Sequence, residues 1–510
     1  MAADGSALAK LITTDTTART LIAGRALRGF VDGSVAVLLP AYLLALGHDS
    51  FTVGVLSTAT LLGSALATLA IGAWGHRAAP RTLLLAAAIL MAATGAAFAG
   101  FSASTGLLPL LVVAFVGTLN PGAGDVSVFL PLEHARLASL ARNSDERTSL
   151  FARYSLAGSL SAAFGALAVG LPAWLAPRAG IAMIDALRAM FALYAVIGVA
   201  IWVLYRRLPL PSVVSEPNAA PAPLGPSRPV VIKLAALFSV DAFAGGLVLN
   251  SLVSLWLMQR FGLSLAAAGA FFFWTGLLSA ASQLVAPWLA RRIGLLNTMV
   301  FTHIPANVCL VAAALAPTLP IVLALLLVRA LLSQMDVPTR TAYVMSVVTP
   351  AERTAAASFT AVPRSLASAA SPALAGALFA AGWLAAPLVL CGVLKITYDL
   401  TLWRACRKQP LQGELSRRPK RRRGCLSRCG PTRRRCAHSP RGKRAGHGRS
   451  VPWSSRRRSC TSPCNLSARC PTRACPRWRR HWHCRCIHSI SPSIAPRSGP
   501  RAWPCCAPMR

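Results

Sequence analysis

Long apolar runs follow one another along residues 21–405, and they constrain the fold more than any other feature of this sequence. A helix needs about 20 residues to cross the roughly 30 Å hydrocarbon layer of a membrane, and many of these runs reach that length. Inside lipid every backbone N–H and C=O must be paired within its own segment, so the runs are predicted to be α-helices. Only 13% of the residues are charged, against about a quarter in a soluble domain, which excludes an ordinary water-soluble protein.

The runs predict an all-α membrane protein with twelve transmembrane helices in two six-helix repeats. A Pro/Ser/Ala-rich stretch over 208–231 separates the two sets of six. We expect a cytoplasmic N-terminus over 1–20, a first bundle over 21–207, this cytoplasmic linker, a second bundle over 232–405 and a tail over 406–510. The predicted spans are 21–46, 52–75, 82–101, 107–131, 152–174, 186–206, 232–258, 265–290, 298–317, 320–347, 356–380 and 384–404.

Arginines are divided unevenly between the two sets of loops, and basic loops stay preferentially in the cytoplasm. The distribution predicts that both termini and the linker are cytoplasmic in a multi-pass protein of an inner or plasma membrane. The N-terminal segment lacks the features of a cleavable secretory signal. The basic set holds Arg77, Arg81, Arg136, Arg142, Arg147, Arg206, Arg207, Arg228, Arg291, Arg292 and Arg353; the opposite set holds Arg178, Arg188 and Arg260.

Four short patterns recur in the same order in the two halves, at spacings of 209, 215, 211 and 211 residues. One register with small loop insertions therefore relates the halves. Parallel six-helix repeats are a known plan of secondary transporters, with the substrate site near the midplane between them. The pairs are Asp32 with Asp241, Arg77 with Arg292, Asp125 with Asp336, and Arg153 with Arg364.

Ionisable side chains are rare inside the predicted helices. A charge near the bilayer centre costs about 2.5–3.5 kcal/mol on insertion scales, so each such residue is a functional candidate. Burial and a nearby arginine shift a carboxyl pKa in opposite directions, which allows a titration near neutral pH. Alternatively, Arg28–Asp32 and Asp336–Arg340, each four residues apart on one helix face, form permanent structural pairs. The candidates for proton coupling or for the substrate cavity are Asp32, Asp125, Asp241, Asp336, Arg28 and Arg340.

Asp241 is the preferred proton site, because no arginine lies within one helical turn of it in the sequence. Asp125 comes next. It follows Asn120-Pro121-Gly122, which is predicted to loosen the fourth helix and free backbone carbonyls. Glu133 is placed further along, nearer a membrane face.

The sequence contains no nucleophile elbow, phosphate-binding loop or paired-histidine metal motif. We therefore expect no enzymatic activity, no cofactor, no metal and no direct use of ATP. The expected partners are a small-molecule substrate, protons and membrane lipid. No nucleic acid is expected to bind, and the chain is expected to be a monomer.

The composition changes abruptly in the tail. Residues 409–510 hold 26 Lys and Arg against one acidic residue, a net +25 of the whole chain's +38, and 11 of the 14 cysteines. No apolar periodicity is present, so the tail is predicted to be disordered. An arginine-rich segment for nucleic acid or anionic lipid and a zinc site are two interpretations. A frameshifted reading of GC-rich coding DNA is the one we favour.

The loop after the second helix resembles the signature of the major facilitator superfamily, which runs Gly, three residues, Asp-Arg, any residue, Gly, any residue, Arg or Lys. The stretch 72–81 keeps the first glycine and both basic positions, with His76 in place of Asp and Ala79 in place of the second glycine. The second-half copy over 287–294 keeps an arginine and the later glycine. The stretches 120–148 and 332–366 resemble a prokaryotic group of this superfamily with no assigned substrate.

This resemblance covers about 20–405. It implies a secondary active transporter of a small organic solute, with the twelve-helix fold, alternating access and proton coupling. The efflux signature of helix five is absent, so the direction of transport stays open. A receptor or scaffold that uses the same fold without transport is the alternative class. The cytoplasmic gate would comprise Gly72, His76, Arg77, Arg81, Arg291, Arg292, Arg153 and Arg364.

Overall fold

A computed structural model describes residues 2–122, 127–141, 143–209, 225, 227–349 and 352–407. These ranges fold into α-helices joined by short turns and one 3-10 turn, Gly75–Arg77, so the all-α prediction is confirmed over them. The predictions for Asp125, for most of the linker and for the tail beyond residue 407 lie outside the described residues.

Sixteen α-helices occur in the described ranges. Those before the linker are α1 Ala2–Ala45, α2 Ser50–Trp74, α3 Pro80–Gly100, α4 Leu107–Val116, α5 Phe129–Leu140, α6 Ser144–Ala168, α7 Leu171–Ala179 and α8 Met183–Arg206. Those after it are α9 Arg228–Gly246, α10 Asn250–Phe261, α11 Leu265–Ile293, α12 Leu295–Leu315, α13 Leu319–Ser333, α14 Asp336–Val347, α15 Arg353–Ala380 and α16 Ala386–Cys406. Helix α1 extends back through the segment predicted as a separate N-terminus.

Ten helical stretches within the described ranges are long and apolar enough to cross a membrane. Three of these stretches consist of two helices with a short break between them: α6 with α7, α9 with α10, and α13 with α14. Helix α13 ends at Ser333 because Pro338 lacks the N–H that would bond to the carbonyl of residue 334. The spans expected over 152–174, 232–258 and 320–347 are therefore found as single apolar stretches, but none of them is one uninterrupted helix.

The expected single helix over 107–131 is also wrong. Helix α4 ends at Val116, and α5 begins only at Phe129. Pro121 lies between them and cannot donate a backbone hydrogen bond. Its carbonyl oxygen instead accepts a hydrogen bond from the backbone N–H of Ser251, at 3.1 Å, in the second half of the chain. The prediction that this segment frees backbone carbonyls is confirmed.

Equivalent helix pairs pack together before and after the linker. In the first half α1 packs on α6, and in the second half its counterpart α9 packs on α15. In the same way, α3 packs on α8 and α12 packs on α16. The third equivalent pairs are α2 with α4 and α11 with α13. Between the halves, α2 packs on α15 and, equivalently, α11 packs on α6. Matching partners of this kind are what two copies of one six-helix unit produce.

The two halves approach closely at one end of the bundle, here called end A, where the turns 46–49, 262–264 and 381–385 lie. A Cβ atom on Gly54 of α2 would lie 2.5 Å from the carbonyl oxygen of Pro372 and 2.8 Å from the Cα of Gly376 in α15. Only glycine allows the two backbones this separation. The backbone N–H of Ala373 also donates to the Thr58 hydroxyl of α2, at 2.9 Å. End A is therefore closed.

The opposite end of the bundle, here called end B, carries the turns 75–79 and 207–209 and the residues 348–349 that follow α14. In α2 the buried residues lie between Ser50 and Ala65, and none of residues 66–74 is buried. A Cβ atom on Gly72 would meet no atom within 4 Å, in contrast to Gly54 at the other end of the same helix. The halves therefore separate towards end B.

A valine in place of Gly54 is expected to force the halves apart at end A, because its side chain overlaps the α15 backbone. A thiol-reactive probe at a cysteine introduced for Ser50, which is buried at end A beside Gln259 of the other half, should then react severalfold faster than when Gly54 is present. Gly100→Ala is the matched control, since a Cβ there meets nothing within 4 Å. Unchanged reactivity in Gly54→Val would show that this glycine contact does not hold end A closed.

Candidate functional site

A buried ionic cluster in the first half joins four helices. The Arg28 guanidinium of α1 binds both carboxylate oxygens of Glu133 on α5, with 2.6 Å between Nη2 and Oε2. The hydroxyls of Tyr154 on α6 and Tyr205 on α8 also donate to Glu133. Glu133 is fully buried, and Arg28 is 2% exposed. The pair is therefore compensated on every side, as a buried ion pair has to be.

The sequence suggested Asp32 as the partner of Arg28. In the structure both terminal nitrogens of Arg28 bind Glu133, and the face of its guanidinium lies over the Phe129 ring, 4.2 Å from the ring centre. Asp32 is buried on the same helix. Glu133, predicted to lie nearer a membrane face, is at the centre of this cluster, where it bonds to Tyr205, next to the last residue of α8 at end B.

A second cluster lies in the other half and is centred on Asp241 of α9. The Lys395 ammonium of α16 donates to one oxygen of Asp241 at 2.5 Å, and Arg340 of α14 lies 3.4 Å from the other. Arg340 also binds Asp336, four residues before it on α14. All four residues are buried. The predicted pair Asp336–Arg340 is formed, within a larger network than the sequence indicated.

Asp241 was preferred as the proton site because its neighbours in the sequence include no arginine. The structure places two cations against its carboxylate, one from α14 and one from α16. Two adjacent cations favour the ionised form of a carboxylate. That reason for preferring Asp241 is therefore removed.

A histidine–carboxylate pair extends this cluster by one helical turn. Asp399 follows Lys395 by four residues on α16, so both side chains lie on one face of that helix. The Nδ1 atom of His303, on α12, is 2.9 Å from one oxygen of Asp399 and 3.1 Å from the other. Both residues are buried. A proton shared by this pair would be held between an imidazole and a carboxylate away from bulk water.

The charges of this enlarged cluster do not balance when His303 is neutral. Three carboxylates, Asp241, Asp336 and Asp399, face two permanent cations, Lys395 and Arg340, which leaves one net negative charge. An uncompensated buried charge is costly. One added proton on the His303–Asp399 pair makes the cluster neutral. Arg364 of α15 also interacts electrostatically with Asp241 and Asp336, but its side chain is exposed, so it is not one of the buried charges of the cluster.

The predicted gate residues lie mainly around end B. Gly72 and Arg77 are exposed at the end of α2 and the turn that follows, which also contains His76. Arg81 donates to the backbone carbonyl of Arg206 and so joins α3 to the end of α8. Arg291 and Arg292 are exposed at the end of α11, and Arg153 and Arg364 are exposed on α6 and α15.

Sequence reasoning missed His303, Lys395 and Asp399. A signal was present for two of them, since Lys395 and Asp399 stand four residues apart in an otherwise apolar run. His303 carries no such signal, because its partner is 96 residues away.

The end of the linker is fixed to the second half at end B. Glu352 accepts hydrogen bonds from the backbone N–H of Gly225 and from the hydroxyls of Thr349 and Ser227. The bonds from Ser227 and Thr349 lower the pKa of Glu352 to about 2, from an ordinary value near 4.5. A lowered carboxyl pKa stabilises the fold above pH 4.5, and this stabilisation is lost as the pH falls towards 2.

Replacing Glu352 with Gln is expected to release residues 225–227 at neutral pH, because an amide accepts these bonds more weakly than a carboxylate. Limited proteolysis should then cut the linker severalfold faster than in the parent protein. Thr349→Ala removes one of the three donors and is expected to have a smaller effect. Equal cleavage rates in Glu352→Gln and the parent would show that Glu352 does not hold the linker.

Apolar helices able to cross a membrane, equivalent packing in two halves and buried ionic clusters between helices define the class: a multi-pass membrane transporter. The chain belongs to the Major Facilitator Superfamily, whose family model matches residues 21–335. This family supports a transporter.

A curated relative is the uncharacterized membrane protein YJR124C of Saccharomyces cerevisiae. It is 24% identical over 399 residues, which are 72% of this chain and 88% of the relative. Because this relative is a yeast protein, it does not confirm the expected resemblance to a prokaryotic group.

Solved structures of similar fold include transporters of several solutes. The inward-open xylose transporter XylE of E. coli matches with a TM-score of 0.59 and 16% identity, over 79% of this chain and 99% of that one. The nucleoside transporter NupG matches with a TM-score of 0.58 and 14% identity, over 76% of this chain and 98% of that one. The human organic anion transporter MFSD10 matches with a TM-score of 0.52 and 16% identity, over 76% of this chain and 99% of that one. At these identities the likeness shows the fold alone.

Proposed function

We propose that this protein is a proton-coupled secondary transporter of a small organic solute. The observation that carries the proposal is the buried cluster of α9, α12, α14 and α16, whose buried charges balance when the His303–Asp399 pair holds one proton. Intramembrane His and Asp chains of this kind serve as proton relays in transporters. The proton is taken up at that pair. Lys395, one helical turn before Asp399 on α16, connects the pair to Asp241.

The coupling follows from the position of this cluster among the helices. Helices α9 and α15 pack together within the second half, and α15 contacts α2 of the first half at end A. A change in the charge of the cluster alters the electrostatic energy of α9, α14 and α16 relative to one another. Alternating access results when that change stabilises the conformation that is open at end A relative to the conformation that is open at end B.

The proposal includes twelve crossings, with α4 and α5 together forming the fourth and α15 forming the eleventh. End B, with its arginine-rich turns, faces the cytoplasm of an inner or plasma membrane, as the distribution of basic residues favours. The conformation described here is then open to the cytoplasm.

The test is proton movement in proteoliposomes that contain the purified protein and a trapped pH-sensitive dye. A pentose, a nucleoside and an organic anion, the solute classes named for the similar structures, are added in turn. A pH change on addition of a solute, absent from protein-free liposomes, is the expected result. Solute binding without solute flux would instead indicate a receptor or scaffold, and solute flux without a pH change would indicate facilitated diffusion.

A further inference from the structure

Helix α13 carries an arginine deep within an apolar segment, LPIVLALLLVRALLS. Arg329 stands ten residues after Leu319, the first residue of the helix, which places it about 15 Å from end A at 1.5 Å per residue. It shares a helix face with the buried residues Val322 and Leu326 at the i, i+4, i+7 spacing. The side chain therefore points into the bundle and not towards lipid.

Arg329 has no carboxylate beside it. In the described part of the chain its guanidinium forms neither an ion pair nor a hydrogen bond, and its Nε atom is buried without a partner. The buried arginines Arg28 and Arg340 each bind a carboxylate. A cation in this position without a counter-charge is expensive, and such residues mark substrate or ion pathways.

The six-helix unit itself does not require this arginine. At the repeat spacing of 211 residues, the first-half position equivalent to Arg329 is Thr118. The Thr118 hydroxyl lies 3.0 Å from the Tyr194 hydroxyl and is thus accommodated as an ordinary polar contact. The arginine is a feature of the second half alone.

The surroundings of Arg329 connect it to the buried cluster. The thiols of Cys309 on α12 and Cys391 on α16 lie close enough to interact with its guanidinium. Cys391 lies within the same range of Lys395, which follows it by one turn on α16. Two cations thus flank one thiol, and the side chain of Arg329 is partly exposed. Cys391, which Arg329 approaches, lies one turn before Lys395 on the same face of α16.

We propose that Arg329 binds the anionic group of the transported solute, so that the substrate class is a small organic carboxylate or phosphate. This inference rests on the proposed function. A guanidinium forms two parallel hydrogen bonds with either group. The solute supplies the counter-charge that the protein lacks at this position, and it acts on the proton-holding cluster through Lys395.

The first test asks whether anions are attracted to Arg329, and it uses Cys309 as the reporter in the full-length protein. The negatively charged sulfonatoethyl and the positively charged trimethylammonioethyl methanethiosulfonates are compared, with peptide mass spectrometry to follow Cys309 alone. After correction for their rates with free cysteine, the anionic reagent is expected to react at least about tenfold faster. Arg329→Gln should remove this preference, and Arg329→Lys should keep most of it.

Arg178→Gln is the matched control, since Arg178 stacks on Trp174 on α7, near end A. In Arg178→Gln the preference of Cys309 for the anionic reagent should equal that in the parent protein. Equal corrected rates for the two reagents in the parent protein, or no modification of Cys309 by either, would overturn the inference.

The second test distinguishes a carboxylate-binding site from a phosphate-binding site. It also distinguishes failure of this inference from failure of the proposed function. Succinate is compared with succinamide, and glucose 6-phosphate with glucose, by thermal stability and by flux in proteoliposomes. A rise in melting temperature with succinate alone or with glucose 6-phosphate alone, absent in Arg329→Gln, identifies the group that is bound. Equal flux of neutral solutes in the parent and Arg329→Gln, with no effect of either anion, would refute the anion site and leave the transporter proposal intact.

Discussion

Replacing Asp399 with Asn is expected to abolish solute-driven proton movement while the protein stays folded and continues to exchange solute down its gradient. The substitution leaves two carboxylates, Asp241 and Asp336, facing the two cations Lys395 and Arg340. The cluster is then neutral without an added proton, so it has no reason to bind or release one. The amide oxygen of Asn still accepts a hydrogen bond from Nδ1 of His303, which preserves the packing of α12 on α16.

Two measurements check this expectation. Proton flux should fall to the level of protein-free liposomes, while counterflow of the solute, which needs no net proton transfer, should persist. Asp185→Asn is the matched control, because Asp185 pairs with Arg188 at the surface near end A and a surface pair contributes little. Normal proton flux in Asp399→Asn would refute the assignment of the proton to the His303–Asp399 pair.

Replacing Glu133 with Gln is expected to cost about 3–5 kcal/mol of stability, since removal of one partner leaves the other charge buried and unpaired. Glu133 is fully buried and receives bonds from Arg28, Tyr154 and Tyr205. Tyr154→Phe removes one hydrogen bond to a charged group and should cost less, about 1.5–3 kcal/mol. The order of these two losses is the informative result.

Thermal unfolding in detergent, followed by tryptophan fluorescence, compares these variants. The double variant Arg28→Met with Glu133→Leu serves as the control, because an apolar pair of similar volume removes both charges and should recover most of the loss. A Glu133→Gln protein as stable as the parent would show that the first-half cluster does not hold α1, α5, α6 and α8 together.

Two of the second-half carboxylates, Asp241 and Asp336, could be predicted from the sequence as candidates, but their partners on other helices could not. Asp336 and Arg340 are one turn apart on a single helix, so their pair follows from local geometry. Asp241 and Lys395 are 154 residues apart, and Arg28 and Glu133 are 105 apart. Such pairs depend on which helices pack together and at what rotation, and no local pattern in the sequence specifies either.

The breaks in the helices were predictable only in part. Pro121 and the glycines near it marked the interruption between α4 and α5, because proline lacks a backbone donor. The hydrogen bond from Ser251 in the other half to the Pro121 carbonyl was not predictable, because it joins residues that are distant along the chain.

The sequence by itself determined that this chain lies in a membrane as apolar helices, because each backbone group in lipid has to be paired within its own segment. It also determined that the two halves are related, because the repeated residues recur at a nearly constant spacing. Only the tertiary structure decided which charges neutralise one another, that end A is closed by Gly54 against Gly376, and that the buried Nε atom of Arg329 lacks a partner among the described residues. Those properties arise from the contact of residues that are distant along the chain, and electrostatic energy inside a low-dielectric bundle depends on a few ångströms of separation.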